Sequence, residues 1–486
     1  MSAIHDSAMN NVYHQVLTRL LSFFSRAERT ALQLLIQRLL VAAGGPDRIG
    51  HYKVLVSHSG SRDSCYTLAF MRAAQLSIAG RSPATFQMRV ATLRLGATTP
   101  TMMESIHRSY NALFVYDDPR VEVLMVDHRE VLPFAHPTPI SDAGRELNRR
   151  NLLLLGHLRT PGSIYEVGDE GYLAMGDFYA QMVRWEGGVD ALVGGETARQ
   201  QRQFIAGLLR GARKAGLSAM PVPTQSFEGL FDTLEELQED LFRELYAGHD
   251  QVEWRPHSGF DARRGTLHID IQDLVTGNME ERWPLLTEFL GLQPDERDLQ
   301  MRENDFASPL LSAHFHGLQA AYLYGHTYER GFTHYVQHAL LLMRRRGVPE
   351  RFCQQALALY GEPRDVAELR VQANIEAQQV LGLSEAQQVC LLFAPFAHGG
   401  AGLERFLRRC HPGMLVAQLD LHKALQGQAA PEPVAQWIVD VSGLPLAQVR
   451  SLYARDPIDA GEPIPSQEAA PARSDSPVPT ERSARR

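Results

Sequence analysis

The segment of residues 53–79 restricts the fold more than any other part of the chain. Val54, Leu55 and Val56 form a short apolar run, which is typical of a buried strand. A polar loop follows at residues 59–64, and we call it the serine loop. Apolar residues then recur at spacings of three and four as far as residue 78, which predicts a helix packed on a sheet. The segment therefore predicts a strand, a tight turn and a helix, the repeating unit of α/β folds.

The same alternation of strand and helix continues to about residue 224. Further strands are predicted at 86–95, 121–126, 191–193 and 219–222, with helical patterns between them. We therefore expect an α/β fold with a doubly wound, parallel, five-stranded sheet. The ligand of such a sheet lies at the carboxyl ends of its strands, where the serine loop, Arg94 and the turn at Gly194 and Gly195 are expected.

The serine loop is a candidate anion site. A strand that turns sharply into a helix presents backbone N–H groups and the positive end of the helix dipole, and phosphate is the common ligand of such turns. The alternative is an ordinary connection that binds nothing, since short connections between strands and helices are frequent.

The amino-acid sequence of the loop resembles the signature of a known family. Its residues are Ser59, Gly60, Ser61, Arg62, Asp63 and Ser64. They resemble the SGGxDS signature of the PP-loop ATP pyrophosphatase superfamily, except that Ser61 stands where that family usually has a second glycine. The resemblance implies a HUP-type, Rossmann-like fold that holds the pyrophosphate of ATP in this loop. It also implies ATP and Mg²⁺ as ligands and adenylation of an oxygen of a small-molecule or nucleotide substrate, which a nitrogen or sulfur nucleophile then attacks.

The resemblance also implies roles for individual residues. The expected catalytic residues are Arg62, Asp63 and Ser64. The expected nucleotide-binding residues are Ser59, Gly60, Ser61, Ser64, Arg94, Gly194 and Gly195. Mg²⁺ is expected at Asp63 and Glu196. Structural explanations stay open for three of them, because Asp63 could cap the following helix, Glu196 could complement a helix dipole and Arg62 could face solvent.

Composition narrows the class of protein. The net charge of −8 gives no support to nucleic acid as a partner, and three lysines without a GxxxxGK[ST] motif exclude a Walker-type NTPase. The four cysteines form no CxxC pair and suit a reducing compartment. The sequence has no secretory signal pattern and no run of ~18 apolar residues, so we expect a cytoplasmic protein without a membrane partner.

The C-terminal half predicts a mainly α-helical domain with a second candidate site. His326, Glu329, His334 and His338 have spacings that place them near one another on helices, and such sets can bind zinc or iron. Histidines with a purely structural role explain the same spacing. A helical metal-dependent enzyme is thus one alternative function, and a non-catalytic, nucleotide-binding regulatory protein is another, supported by Ser61.

The sequence predicts five regions. They are N-terminal helices at 1–48, a HUP-like nucleotide-binding domain at 49–225, a mixed linker or insertion at 226–300, a helical domain at 301–454 and a disordered tail at 455–486. The mixed region includes a strand at 266–271, which we expect at the edge of a small sheet. The N-terminal helices are expected to cap the nucleotide-binding domain or to form a homo-oligomer contact.

Overall fold

The computed structural model of the chain describes residues 3–96, 98–128, 130–158, 170–195, 198–214, 266–271, 274–275, 279–292, 308–345, 347–361 and 366–455. Glu196, the predicted strand at 219–222 and the tail from residue 456 lie outside these residues. The predicted domain boundaries near 225 and 300 lie outside them as well. Met1–Asp456 form one compact unit.

A six-stranded mixed sheet is the framework of the described residues. Its strands are β1 (Lys53–Ser57), β2 (Gln87–Leu93), β3 (Val121–Asp127), β4 (Glu130–Pro133), β5 (Ala191–Gly194) and β6 (Leu267–Asp270). Their spatial order is β4-β3-β2-β1-β5-β6, and every neighbouring pair is parallel except β3 and β4. The α/β class is therefore confirmed, whereas the prediction of five strands that are all parallel is wrong.

The antiparallel pair arises from a tight turn that follows β3. His128 adopts a positive φ of 45°, and the chain returns so that Val126 pairs with Val131 and Asp127 with Glu130. Only two of the four β4 residues are large and apolar, which is too few for a periodic signal. The strand was missed for that reason.

The last strand, β6, occupies a different place from the one expected. A strand is present within 266–271, but it extends the main sheet in parallel to β5, with Val193 opposite Ile269 and Gly194 opposite Asp270. It is not the edge of a separate small sheet.

Helices surround the sheet and continue to the end of the described chain. Those before β6 are α1 (Ala3–Phe23), α2 (Arg26–Ala42), α3 (Arg62–Ala79), α4 (Pro100–Ala112), α5 (Asp142–His157), α6 (Glu170–Met182) and α7 (Ala198–Lys214). Those after it are α8 (Pro309–Tyr322), α9 (Tyr328–Arg345), α10 (Glu350–Tyr360), α11 (Val366–Glu376), α12 (Glu385–Phe393), α13 (Leu403–Cys410), α14 (Gln418–Leu425), α15 (Glu432–Ser442) and α16 (Leu446–Tyr453). Serine or threonine caps start several of them, including Ser61 for α3 and Thr99 for α4.

Helix α5 joins the C-terminal helices to the sheet. Arg149 on α5 donates from Nε to the carbonyl of Gly382 at 3.1 Å and from a terminal nitrogen to the carbonyl of Gly443 at 2.9 Å. A Cβ on Gly156 of the same helix would lie 3.0 Å from Leu391. Buried side chains of the sheet and of the C-terminal helices accordingly belong to one hydrophobic core. Within the described residues, no helix has the length and apolarity that crossing a membrane requires.

A buried ion pair fixes α3 to the start of β3. Arg72 on α3 lies 2.7 Å from Asp118, and both side chains are 0% exposed. Arg72 also donates to the carbonyls of Leu113 and Phe114, which end α4. Burial alone would raise the pKa of Asp118, but hydrogen bonds from Arg120 and the charge of Arg72 hold that pKa below its ordinary value. The ion pair therefore ties three elements together.

Replacing Asp118 by Asn is expected to lower the free energy of unfolding by about 3–5 kcal/mol, because it leaves the Arg72 guanidinium buried without its counter-ion. Urea denaturation at pH 7 measures this. The matched control is Asp420→Asn, which breaks the exposed pair with Lys423 and is expected to cost about 1 kcal/mol or less. Equal losses of unfolding free energy in the two variants would contradict the prediction that the buried ion pair of Arg72 and Asp118 contributes more than the exposed one.

Candidate functional site

The serine loop lies at the carboxyl end of β1 and leads directly into α3. Gly60 turns the chain with a φ of 76°, a backbone conformation that residues with a side chain rarely adopt. A Cβ at this position would also lie 2.8 Å from Ile106 on α4. Ser61 then caps α3 by accepting a hydrogen bond from the backbone N–H of Ser64. Its φ of −69° is one that any residue adopts, so Ser61 is accommodated here without strain.

Three hydroxyl groups of the loop form a cluster. The Oγ of Ser59 lies 3.0 Å from that of Ser61 and 3.3 Å from that of Ser64, and the last two are 3.2 Å apart. Ser59 is exposed, while Ser61 and Ser64 are half-buried. The cluster lies at the amino end of α3, where the first N–H groups of a helix have no acceptor within the helix. The structure thus gathers the three serines that the resemblance assigns to phosphate.

The two charged residues of the loop pair with each other. Arg62 Nε donates to Asp63 Oδ1 at 2.9 Å, and the side chains are 16% and 21% exposed. Gln200 on α7 also approaches the Asp63 carboxylate at 3.5 Å. Arg62 therefore contacts Asp63 rather than facing solvent alone, and a cation at Asp63 would share the carboxylate with this guanidinium.

The turn after β5 packs directly against the start of α3. Gly195 lies so close to Thr67 that a Cβ on the glycine would overlap the threonine hydroxyl, and the carbonyl of Asp63 is 3.4 Å from the same Cβ position. Thr67 is held there by its own hydrogen bond to that carbonyl, at 2.8 Å. Gly194, Gly195 and the serine loop therefore lie on the same edge of the sheet, as the sequence predicts.

Helix α7 adds polar side chains to this edge. Gln200 reaches Asp63, and Gln201 donates to the carboxylate of Asp270 at the end of β6 at 3.1 Å. The edge thus combines residues that follow β1, β5 and β6. Neither glutamine was predicted, because a single polar residue in a helix carries no signal for its neighbours in space.

His58 is a buried histidine directly before the serine loop. Its side chain is 0% exposed, it packs against Tyr110 with ring centres 5.1 Å apart, and neither ring nitrogen has a hydrogen-bond partner in the described part of the chain. Burial lowers the pKa of His58 to about 3, so the ring is neutral at physiological pH.

Arg94 follows β2, the strand beside β1, and lines a cleft at this edge of the sheet. It is 5% exposed, donates to the carbonyl of Thr138 at 2.8 Å and lines a cleft with residues that follow β2 and β3. Burial lowers the pKa of Arg94, although Asp127 nearby acts in the opposite direction. The structure shows no contact between Arg94 and the serine loop in the described residues.

The candidate metal ligands of the C-terminal helices do not form a ligand set. His326 precedes α9 and Glu329, His334 and His338 lie on it, and the first three are exposed. Among the described residues, which include all four, no three His, Cys, Asp or Glu side chains come close enough to hold a metal ion.

The chain matches no family model, no curated protein and no solved structure. The site is therefore interpreted from its own geometry. That geometry brings the serine loop together with Gly194 and Gly195. Glu196 lies outside the described residues.

Gly195→Ala is expected to destabilise the protein by about 1–3 kcal/mol, because the new methyl group collides with Thr67. In the double variant with Thr67→Ala, part of that loss is expected to be recovered, since the hydroxyl is gone. Thermal or urea denaturation of all four forms measures the coupling. Gly413→Ala is the matched control, because nothing lies within 4 Å of its Cβ position. Strictly additive losses would contradict the close packing.

His58→Phe is expected to weaken the pH dependence of stability. The native pKa of about 3 lies below the ordinary 6.5, so the unfolded chain binds a proton first, and stability falls as the pH drops below about 6.5. For one such group the loss is about 2 kcal/mol between pH 7.5 and pH 5. Urea denaturation at both pH values should show that, between pH 7.5 and pH 5, the variant loses about 2 kcal/mol less stability than the wild type does. His334→Phe, at an exposed position, is the control for the substitution, and an unchanged pH dependence in His58→Phe would refute the assignment.

Proposed function

We propose that the chain is an ATP-dependent adenylating enzyme that binds ATP at the serine loop and releases pyrophosphate. The supporting observation is the position of this loop in the sheet. The strand order runs from β1 through β2 to β3 on one side and through β5 to β6 on the other, so its direction reverses between β1 and β5. In doubly wound α/β sheets the ligand crevice lies where the order reverses, at the carboxyl ends of the strands. The serine loop and the Gly194–Gly195 turn both follow strands at this point.

The chemistry of the loop suits a phosphate group. Three hydroxyls within 3.3 Å of one another, together with the amino end of α3, offer several donors to one anion. Gly60 and Gly195 allow the two turns to pack closely against Ile106 and Thr67, which fixes the shape of the loop. The loop carries no net charge, because Arg62 and Asp63 pair, so binding would depend on these oriented dipoles.

The residues of this edge supply part of the oxygen ligands that a divalent cation needs. Asp63 supplies a half-buried carboxylate beside the hydroxyls, and Glu196 follows the neighbouring strand. These two residues would hold Mg²⁺, which would supply positive charge against the pyrophosphate. Gly195, the residue before Glu196 in the sequence, packs against the backbone carbonyl of Asp63.

The proposed reaction follows from this placement. An oxygen of the substrate attacks the α-phosphorus of ATP, the bond to the β-phosphate oxygen breaks, and pyrophosphate leaves with the electron pair. A nitrogen or sulfur nucleophile then displaces AMP from the adenylate. The Ser59, Ser61 and Ser64 hydroxyls would donate to the departing pyrophosphate, whose charge grows in the transition state.

The first test measures ATP binding and turnover by the full chain. Isothermal titration with ATP and Mg²⁺ should show binding, and Ser64→Ala should weaken it by about 3- to 10-fold, as expected for one neutral hydrogen bond. Ser451→Ala, an exposed serine on α16, is the matched control and should bind as the wild type does. An absence of ATP binding by the wild type would refute the proposal.

The second test separates turnover from binding alone. ATP labelled in the α-phosphate is incubated with the protein and a protein-free cell extract as the source of substrate, and AMP and pyrophosphate are expected in equal amounts. Asp63→Asn should reduce the rate by at least about tenfold if the carboxylate holds the cation. Binding without AMP formation would instead support the regulatory alternative.

A further inference from the structure

Two histidine rings from different elements of the fold stack on each other, and neither belongs to the proposed nucleotide site. His107 lies on α4, and His136 lies three residues after the end of β4. Their ring centres are 4.0 Å apart and their planes are inclined by 20°. We call residues 135–138 the clamp segment, because the stacked rings join this part of the chain to α4.

The hydrogen bonds of His107 suit the neutral form of its ring. The amide nitrogen of Asn111 lies 2.9 Å from Nε2, and because an amide nitrogen only donates, Nε2 is the acceptor. The proton of the neutral ring is then on Nδ1, which lies 2.8 Å from the hydroxyl of Tyr116. Burial raises the pKa of Tyr116, so this hydroxyl stays uncharged. An added proton on His107 would bind at Nε2, where the Asn111 amide already donates.

His136, in contrast, has a carboxylate beside it. Its Nε2 lies 3.2 Å from Glu104 on α4, and the two side chains are 34% and 42% exposed. A protonated His136 therefore forms an ion pair with Glu104, a residue that Arg108 also approaches at 3.6 Å. The first positive charge on the two rings is thus accommodated on His136.

A second positive charge is opposed by the surroundings of His107. The charged and titratable groups that the described residues place around this ring are Glu104 and Arg108 on α4, Tyr116 after that helix, and His136. Burial lowers the pKa of His107 below its ordinary 6.5. Positive charge on His136 and Arg108 lowers this pKa further, while Glu104 acts in the opposite direction. Below about pH 6.5 a separated His107 therefore binds a proton more readily than the stacked one does, so the stacked arrangement weakens as the pH falls.

The helix that carries His107 also supports the serine loop. Ile106, the preceding residue on α4, packs against Gly60. At the other end of the contact, the carbonyl of Thr138 in the clamp segment accepts from Arg94 at 2.8 Å. The two histidines therefore connect a helix beside the serine loop to a segment that contacts the end of β2.

We propose that His107 and His136 form a pH-sensitive clamp, which holds the clamp segment on α4 while at most one ring is charged and releases it when both are. Glu104 stabilises the singly charged pair. The hydrogen bond from Asn111 and the repulsion between two cationic rings with centres 4.0 Å apart oppose the doubly charged pair. The clamp does not depend on the proposed ATP chemistry.

NMR titration of the full chain tests the coupling between the two rings. Histidine labelled with ¹³C in the ring gives one signal for each side chain, and the variants His107→Phe and His136→Phe assign the two signals of the clamp. We expect His107 to titrate below pH 6.5, and its apparent pKa to rise in His136→Phe because the neighbouring positive charge is gone. An apparent pKa of His107 at or above 6.5, or one that His136→Phe leaves unchanged, overturns the proposal.

Hydrogen exchange followed by mass spectrometry tests the release of the clamp segment. After correction for the intrinsic pH dependence of exchange, protection of the segment should fall by about 3- to 10-fold between pH 7.5 and pH 5 in the wild type. His107→Phe keeps a flat ring against His136 and cannot bind a proton, so its protection should be the same at both pH values.

The matched control for this substitution is His334→Phe, at an exposed position on α9, which should lose protection as the wild type does. If His107→Phe does not fold, His107→Gln carries the same expectation, since glutamine does not titrate either. Unchanged protection in the wild type, or an equal fall in the wild type and in the variant without an ionisable group at position 107, overturns the proposal.

Discussion

The packing of Gly195 against the first turn of α3 is the contact on which the proposed site depends. Only a glycine allows the turn after β5 to approach Thr67 and the Asp63 carbonyl so closely. Because β1 and β5 are neighbours in the sheet, this approach sets the distance between the serine loop and Gly195. A larger residue would move the two turns apart and widen the space between them. The spacing of the two turns is therefore set by the packing of Gly195 against Thr67.

The charged side chains at this edge of the sheet are paired with neighbours on the same edge, and this pairing determines its electrostatics. Arg62 and Asp63 neutralise each other, Gln200 contacts the same carboxylate, and Gln201 contacts Asp270 at the end of β6. Attraction for an anion then comes from hydroxyls and from the amino end of α3, which are fixed by the fold and need no rearrangement. A cation at Asp63 would therefore compete with Arg62 for the carboxylate.

The sequence predicted what is local and missed what depends on distant pairing. The strand, turn and helix around the serine loop could be predicted because Val54–Val56, Gly60 and the cap at Ser61 act on their immediate neighbours. The placement of β6 could not, because its partner β5 ends more than seventy residues earlier and four residues give no register. Likewise, β4 depends on a positive φ at His128, which a histidine rarely adopts and which no pattern indicates.

The same distinction explains which parts of the site could be predicted. The three serines were found together because six consecutive residues place them, whereas Arg94 was assigned to the nucleotide only because it follows a strand. Its actual neighbours, Gln181 and Asp177, lie on α6, which follows a segment outside the described residues, and they meet Arg94 only when α6 covers the sheet. Side chains that line one cleft from different elements of the fold cannot be recognised from their spacing in sequence.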